Sequence, residues 1–335
     1  MNTLLVATLF VVVSTGVIWK GSEALEASAE RLSKHYGLPV AVHGAVVVAV
    51  GSSFPELSSV VISTTLHGEF SLGVGAIVGS AIFNLLVIPA LSTLFSDGLD
   101  STRDLVHKDA QFYIISILVL FVTFALGATY VPGGTNQAAV LTPALAVFPL
   151  LTYAVYVFLH YQDVQEHTDL EVVDIAPARE WGRLLLSLAV IAVGVEGIVR
   201  GVLDFGAFFD TPTFLWGVTV IAVATSLPDT FVSVRAARRN ESVTSLTNVL
   251  GSNTFNLLVA IPIGVLIAGA TTVNFLVAVP LMAFLGVATF VFMVFARTGL
   301  EISNPEAYAF LVLYGAFLVW MGLETAGVVQ LVRGL

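Results

Sequence analysis

Two short stretches place a proline directly before a carboxylate in strongly apolar surroundings: GSSFPEL at residues 51 to 57, with Pro55 and Glu56, and ATSLPDT at 224 to 230, with Pro228 and Asp229. Each follows a pair of hydroxyl side chains, Ser52 and Ser53 in the first and Thr225 and Ser226 in the second. A proline within a helix has no N–H for the carbonyl four residues back, so Pro55 frees that of Gly51 and Pro228 that of Ala224, and the helix is expected to open there. Hydroxyls, freed carbonyls and one carboxylate per stretch make an all-oxygen donor set, which suits hard cations such as Ca²⁺, Na⁺ and Mg²⁺. The chain has no cysteine, and its six histidines form no HxxxH pair, so thiolate sites, disulfides and the usual zinc-hydrolase arrangement are excluded.

The elements that must position these groups are membrane helices. Of 335 residues, 57% are hydrophobic and only 11% charged, far from the balance of a water-soluble domain. Roughly 20 apolar residues cross the hydrocarbon core as a helix, and lipid offers the backbone no hydrogen bonds, so a bundle of helices follows. Apolar segments between polar breaks give ten expected spans, at 2–20, 39–66, 70–95, 110–128, 138–160, 183–206, 213–237, 243–268, 272–296 and 307–330. The first reads as a retained helix rather than a cleaved leader, because no Lys or Arg precedes its apolar run. Glu56 and Asp229 fall near mid-membrane, where an ionisable side chain costs about 3 kcal/mol on insertion scales and is functional by default. No Lys or Arg lies at comparable depth in the second, third, seventh or eighth span to neutralise them.

The two stretches are copies of one another. Glu56 and Asp229 lie 173 positions apart, and the same offset sets Gly21 and Glu23 over Gly194 and Glu196. Further on, VGSAIFNLL (78–86) falls over LGSNTFNLL (250–258) at an offset of 172, matching Gly79, Ser80, Phe83, Asn84, Leu85 and Leu86 with identical residues. With five spans per half, the second copy enters the membrane from the opposite side. The expected architecture is therefore all-α and polytopic: ten transmembrane helices as two inverted five-helix repeats, residues 1–160 and 182–335, joined by a polar linker at 161–181 and carrying broken helices at the ion sites. Inverted repeats related by an axis in the membrane plane are the architecture of alternating-access transporters.

Basic residues set the orientation. Arg31, Lys34, Arg103, Lys108, Arg179, Arg183, Arg235, Arg238, Arg239 and Arg297 lie in or at the edges of the loops after odd-numbered spans, against only Arg200 and Arg333 on the opposite face, so those loops are expected in the cytoplasm and both termini outside a cell membrane. The net charge of −10 comes largely from acidic loops and gives no reason to expect a nucleic-acid partner.

GSSFPEL with VGSAIFNLL, and ATSLPDTFVS with LGSNTFNLL, resemble the two α-repeats of the Ca²⁺/cation antiporter superfamily, closest to its sodium/calcium exchangers. The resemblance covers nearly the whole chain, with the short linker in place of the large regulatory domain of the animal exchangers. It implies four sites in a diamond: a central cation site bounded by Glu56 and Asp229, and flanking sodium sites. Their oxygens would come from Ser52, Ser53, Ser80, Asn84, Thr225, Ser226, Ser252 and Asn256, with backbone carbonyls of Ala49 and Ala222 in unwound segments. The chain departs from the family pattern at Ser52, Phe54, Ala81, Ala224 and Asp229, the last a carbon shorter than the Glu often found there. Potassium-dependent relatives carry an acid at the position of Asn256, so its amide implies independence of K⁺.

The expected function is Na⁺/Ca²⁺ exchange by alternating access, with Ca²⁺ and Na⁺ as substrates, the bilayer as surroundings and no cofactor. Proton-coupled divalent exchange through a protonatable Glu56 stays open, and a passive cation channel is the more distant alternative. An enzyme is not expected, since no catalytic dyad or metal motif appears. Glu23 and Glu196 read as symmetry mates near helix ends, Glu196 and Arg200 as an i, i+4 pair, RAARRNE (235–241) as a topology anchor, and the HGEF turn (67–70) as a plain loop.

Overall fold

In the computed structural model of the chain, the described residues are 2–36, 49–96, 98–131, 138–163, 175–329 and 331–332. The elements run α1 (Asn2–His35), α2 (Ala49–Ser52), α3 (Phe54–His67), α4 (Phe70–Ser96) and β1 (Leu99–Asp100). Then come a wide π turn at Leu105–Ala110 leading into α5 (Gln111–Thr129), β2 (Ala138–Leu141) and α6 (Pro143–Asp163). The second half opens with α7 (Pro177–Phe209) and α8 (Thr213–Trp216), which passes through a π turn at Gly217–Ile221 into α9 (Ala222–Arg238). α10 (Ser242–Phe255) continues through another π turn, Asn256–Ala260, into α11 (Ile261–Ala268). The chain ends in β3 (Thr271–Asn274), α12 (Phe275–Arg297), β4 (Glu301–Ile302) and α13 (Asn304–Thr325).

Nine helices among the described residues are long and apolar enough to cross a membrane. The other expected span, 39–66, begins in residues 37–48, outside the described residues, and its described remainder is α2 and α3. The chain is thus an all-α polytopic membrane protein. The expected first span, 2–20, is too short, since α1 runs on to His35. Apolarity marks where a helix leaves the lipid, and the pairs Lys20–Glu23 (2.8 Å) and Glu30–Lys34 (2.7 Å) carry the helix further. α7 likewise begins at Pro177 rather than 183, with Pro in its first turn and Glu180 bonded to Arg183 at 2.6 Å and to Arg31 of α1 at 2.9 Å. The expected linker is correspondingly shorter, and its residues 164–174 lie outside the described ones.

Two small antiparallel ribbons tie the loops. β1 pairs with β4, joining the loops after the third and ninth spans, and β2 pairs with β3, joining those after the fourth and eighth. Moving five spans along the chain turns the first ribbon into the second, with Leu99 and Thr271 again 172 positions apart. The long helices obey the same relation: a Cβ on Gly21 would sit 2.7 Å from Cγ1 of Ile191, and a Cβ on Gly194 would sit 2.7 Å from Cγ1 of Ile18. Both pairs are mates at offset 173, so α1 and α7 cross through two equivalent glycine contacts. These reciprocal contacts are what a pseudo-twofold axis in the membrane plane produces.

The apolar core falls into two clusters. The larger fills the bundle around α4, which is predominantly apolar, carries the polar Ser80 and Asn84 on one face, and is buried along almost its whole length. The smaller joins α1 and α7 through Ile18, Leu25, Ile191, Val195, Ile198 and Val199, and reaches the site helices at Leu72, Ala76, Ile221 and Ala224. Large apolar side chains exposed on α1, α6, α7, α12 and α13, among them Leu5, Leu151, Leu186, Phe290 and Val312, form the lipid-facing surface.

Candidate cation-binding site

The proline-acid stretches sit at the centre of the bundle, and the two repeats build them differently. In the first, the helix is interrupted as expected: α2 stops at Ser52, Ser53 has φ −89° and ψ 6°, and α3 restarts with Pro55 in its first turn. Proline is well placed there, since an N–H in the first turn has no partner to lose. In the second repeat the expected opening at Ala224 is absent, and α9 runs unbroken through Pro228. The irregularity lies upstream, in the wide turn Gly217–Ile221. The mates at the hinge explain this, because Gly51 is permissive where Ala224 favours helix by about 1 kcal/mol. The Thr225 hydroxyl also donates to the Ile221 carbonyl at 3.0 Å and to that of Ala222 at 3.4 Å, occupying backbone acceptors near the turn.

α4 brings the other half of the site against this segment. A Cβ on Gly79 would overlap the carbonyl of Val218 and approach Cβ of Ala222 to 2.8 Å, so only glycine lets Ser80 reach the second repeat. The Ser80 hydroxyl lies 2.7 Å from that of Ser226, and both bond to Oε1 of Glu56, at 3.3 and 3.2 Å. On the other side, Asn84 Nδ2 donates to Oδ2 of Asp229 at 3.3 Å and to Oδ1 of Asn253 at 3.1 Å. Ser52 and Ser252 lie 3.3 Å apart, and both border Asp229 together with Asn248.

Of the twelve residues expected to supply ligands, the side chains of Ser52, Ser53, Glu56, Ser80, Asn84, Thr225, Ser226, Asp229, Ser252 and Asn256 are all fully buried. The two backbone positions differ from expectation. Ala49 lies in the helical residues of α2, whose preceding residues are outside the described ones, and Ala222 begins α9 directly after the wide turn Gly217–Ile221, so neither lies in an unwound stretch. Among the described residues no Lys, Arg or His pairs with either carboxylate. The site also contains residues that were not expected to take part. Asn248 touches Asp229, and Asn253 donates to the carbonyl of Ala81, its own mate in the other repeat, at 3.0 Å. A contact between mates lies on the pseudo-twofold axis. The only sign in the sequence was that Asn and Ala face each other at an offset otherwise rich in identities.

Several polar atoms here have no hydrogen-bond partner among the described residues: Oγ of Ser53, Oε2 of Glu56, Oδ1 of Asn84, Oδ1 of Asp229, and both amide atoms of Asn256. An unpaired buried oxygen costs on the order of 1 to 3 kcal/mol, and a carboxylate oxygen more, so their gathering at one place marks a binding site. Five of the six are oxygens, and two belong to carboxylates. That set fits a hard cation, whose charge offsets what the protein leaves uncompensated. Among the described residues no cluster of three or more His, Asp or Glu side chains occurs, so the site relies on neutral oxygens around two acids.

A buried cluster of oxygens around two carboxylates in an all-α bundle of membrane helices is the make-up of a membrane transporter rather than an enzyme. The sequence profile of the sodium/calcium exchanger protein family matches residues 6–162 and 180–323. This chain therefore belongs to that family, and is a cation/Ca²⁺ antiporter. Among its relatives, sodium/calcium exchanger MaX1 of Methanosarcina acetivorans is 25% identical over 345 residues, spanning 92% of this chain and 97% of MaX1. The human sodium/potassium/calcium exchanger 4 is 41% identical over 97 residues, which cover 28% of this chain and 15% of the human protein. A solved structure of the sodium-calcium exchanger NCX_Mj, soaked with Na⁺ and Sr²⁺, superposes with a TM-score of 0.65 at 22% identity, covering 94% of this chain and 98% of the other, and shows the same fold.

Proposed function

We propose that the chain exchanges Na⁺ for Ca²⁺ across a cell membrane by alternating access, independently of K⁺. In this reading residues 1–160 and 182–335 are the two functional repeats, and both termini face outward. The observation that carries it is the pairing of two fully buried carboxylates, Glu56 and Asp229, with hydroxyls and amides from both repeats and with no basic partner among the described residues. Two negative charges balance one divalent ion, while several monovalent ions can share the same oxygens, so occupancy by one excludes the other. The flanking sodium positions fall to Ser52, Ser53, Ser80, Ser226, Thr225 and Ser252, with Asn84 and Asn256 as amide ligands and the Ala49 and Ala222 carbonyls at the edges. Independence of K⁺ rests on Asn256, a neutral side chain at the centre.

The test is ⁴⁵Ca²⁺ uptake into proteoliposomes loaded with Na⁺, diluted into Na⁺-free, K⁺-free medium, and repeated with a pH gradient alone. Uptake driven by the Na⁺ gradient is expected. Uptake driven only by the pH gradient would make the chain a proton-coupled exchanger, and a steady Ca²⁺ conductance without countertransport would make it a channel.

A further inference from the structure

One carboxylate near the site has no place in this account. Glu26 lies on α1, half-buried, and makes neither a hydrogen bond nor an ion pair among the described residues. Its Cγ is 4.0 Å from where a Cβ on Gly51 would stand, so the side chain rests against α2 immediately before Ser52 and Ser53. Its helix packs on α9, with the Trp19 ring stacked on Phe231 at a centroid distance of 4.5 Å, and Phe231 lies between Asp229 and Arg235 in the chain. Asp229 and Arg235 are six residues apart, about 9 Å along a helix. The helix carrying Glu26 thus runs beside both α2 and the part of α9 that leads from the buried site to the loop after it.

Two further side chains turn this from a stray charge into a site. Ser22, one turn before Glu26 on the same side of α1, and Ser53, beside α2, are both fully buried, and neither hydroxyl has a partner among the described residues. Asp229 Oδ1, on the α9 helix that α1 packs against, is likewise without a hydrogen-bond partner among the described residues. The arrangement is also one-sided. At the offset of 173, Ser22 falls on Val195 and Glu26 on Val199, both fully buried in the α1–α7 contact. The opposite face therefore has no such group from the corresponding helix.

We propose that Glu26, with the Ser22 and Ser53 hydroxyls, forms a staging site for a hard cation on one face only, through which the ion passes between Asp229 and the mouth lined by Arg235. The carboxylate gathers the cation before it is fully dehydrated, and the hydroxyls replace part of its water on the way in. Because the attraction is Coulombic, a divalent ion gains twice what a monovalent ion gains, so the site favours Ca²⁺ at this mouth. The inference extends the exchange reading of the central site, and the experiment separates the two.

The chain has no cysteine, so a single Arg239→Cys, labelled with a membrane-impermeant maleimide, sorts reconstituted vesicles by orientation. In that background Glu26→Gln is expected to raise the KM for Ca²⁺ about tenfold at the Arg239 face and to leave it unchanged at the other; for Na⁺ the rise should be about threefold, the square root, as the halved charge requires. Glu26→Asp, which keeps the charge, should stay within about twofold of the parent. An equal rise at both faces, or none at either, overturns the proposal. A separate measurement involves no transport. Tb³⁺, a luminescent stand-in for hard cations, is titrated into the detergent-solubilised protein, with Trp19 on the same helix as sensitiser. The parent should show a second, weaker class of sites that Glu26→Gln lacks, and an unchanged titration counts against the site. If the parent moves no Ca²⁺ under a Na⁺ gradient, the exchange reading fails while the Tb³⁺ titration still decides the staging site.

Discussion

Glu56→Gln is the most direct perturbation of the central site. The change is nearly isosteric, and a glutamine oxygen can keep the bonds that Oε1 accepts from Ser80 and Ser226. The amide replaces Oε2, which has no hydrogen-bond partner among the described residues, so the fold loses no hydrogen bond there. What changes is charge. At about 4 Å and an effective dielectric of about 20, one unit charge acts on another with about 4 kcal/mol, and on a divalent ion with about twice that. If water and the surrounding hydroxyls recover about half, the net loss is about 4 kcal/mol for Ca²⁺ and about 2 kcal/mol for Na⁺. These correspond to a fall of about a thousandfold in Ca²⁺ affinity and about thirtyfold in Na⁺ affinity. The assay is ⁴⁵Ca²⁺ and ²²Na⁺ binding to the purified variant, alongside flux in proteoliposomes and a check of monodispersity in detergent. A variant that inserts normally but binds Ca²⁺ within tenfold of wild type, or loses Ca²⁺ and Na⁺ by equal factors, would refute the charge argument and remove Glu56 from the cation's first layer of oxygens.

Three more outcomes are expected. Ser80→Ala removes the hydroxyl that bridges Ser226 and Glu56, and should raise the Na⁺ concentration for half-maximal exchange about five- to tenfold while changing Ca²⁺ affinity less, as one neutral ligand is worth about 1 kcal/mol; the reverse pattern in paired Na⁺ and Ca²⁺ titrations would place Ser80 at the calcium position. Asn256→Asp adds a third buried acid, so exchange in the variant should acquire a dependence on K⁺ or on pH that wild type lacks, read by replacing K⁺ with choline at constant Na⁺ and membrane potential. Wild-type exchange that stops in choline would sink the potassium-independent reading, a live contrast given the similarity to a human sodium/potassium/calcium exchanger over 97 residues. Gly79→Ala forces a methyl group onto the Val218 carbonyl and should lower the detergent melting temperature and slow exchange, at a cost of about 1 to 3 kcal/mol; a variant as stable and fast as wild type would mean that the Gly217–Ile221 turn yields freely.

Much of the site was legible because two of its features are covalent facts. Proline lacks a donor wherever it sits, and a carboxylate in an apolar span is conspicuous, so Glu56, Asp229 and their hydroxyl neighbours could be read without coordinates. The duplication located Ser80, Asn84, Ser252 and Asn256, because polar identities at a fixed offset are not forced by membrane composition. What escaped was conformational. Pro55 and Pro228 read alike, yet one starts a helix and the other lies within one, a choice made by Gly51 against Ala224 and by a wide turn that leaves no compositional mark. The HGEF turn read as a plain loop, but His67 Nε2 lies 2.9 Å from Glu196 Oε2, and Glu69 accepts from Thr213 at 3.2 Å, tying it to α7 and α8. The expected pair of Glu196 with Arg200 forms, at 2.5 Å. Glu26 was passed over because a lone acid near the end of an apolar run looks like any helix terminus until α2 is seen resting against it.

The departures from twofold symmetry matter more than the symmetry. Two identical inverted repeats would make the states open to either face equal in energy and would present the ion with the same entrance twice. Such a protein would exchange ions but have no intrinsic preference between the faces. Each mismatch between mates breaks that equivalence, and a difference of about 1.4 kcal/mol between the two states already shifts their populations tenfold. Gly51 against Ala224 makes one site helix easier to open than the other. Glu56 against Asp229 sets one carboxylate a carbon further from its backbone, and Asn253 against Ala81 puts a single hydrogen bond across the axis itself, where it couples both repeats at once. Glu26 against Val199 then gives one mouth a charge that the other lacks. In this reading the balance of the exchanger resides in the few positions where the second copy of the sequence has drifted from the first, while the shared residues are the proposed ligands of the ion.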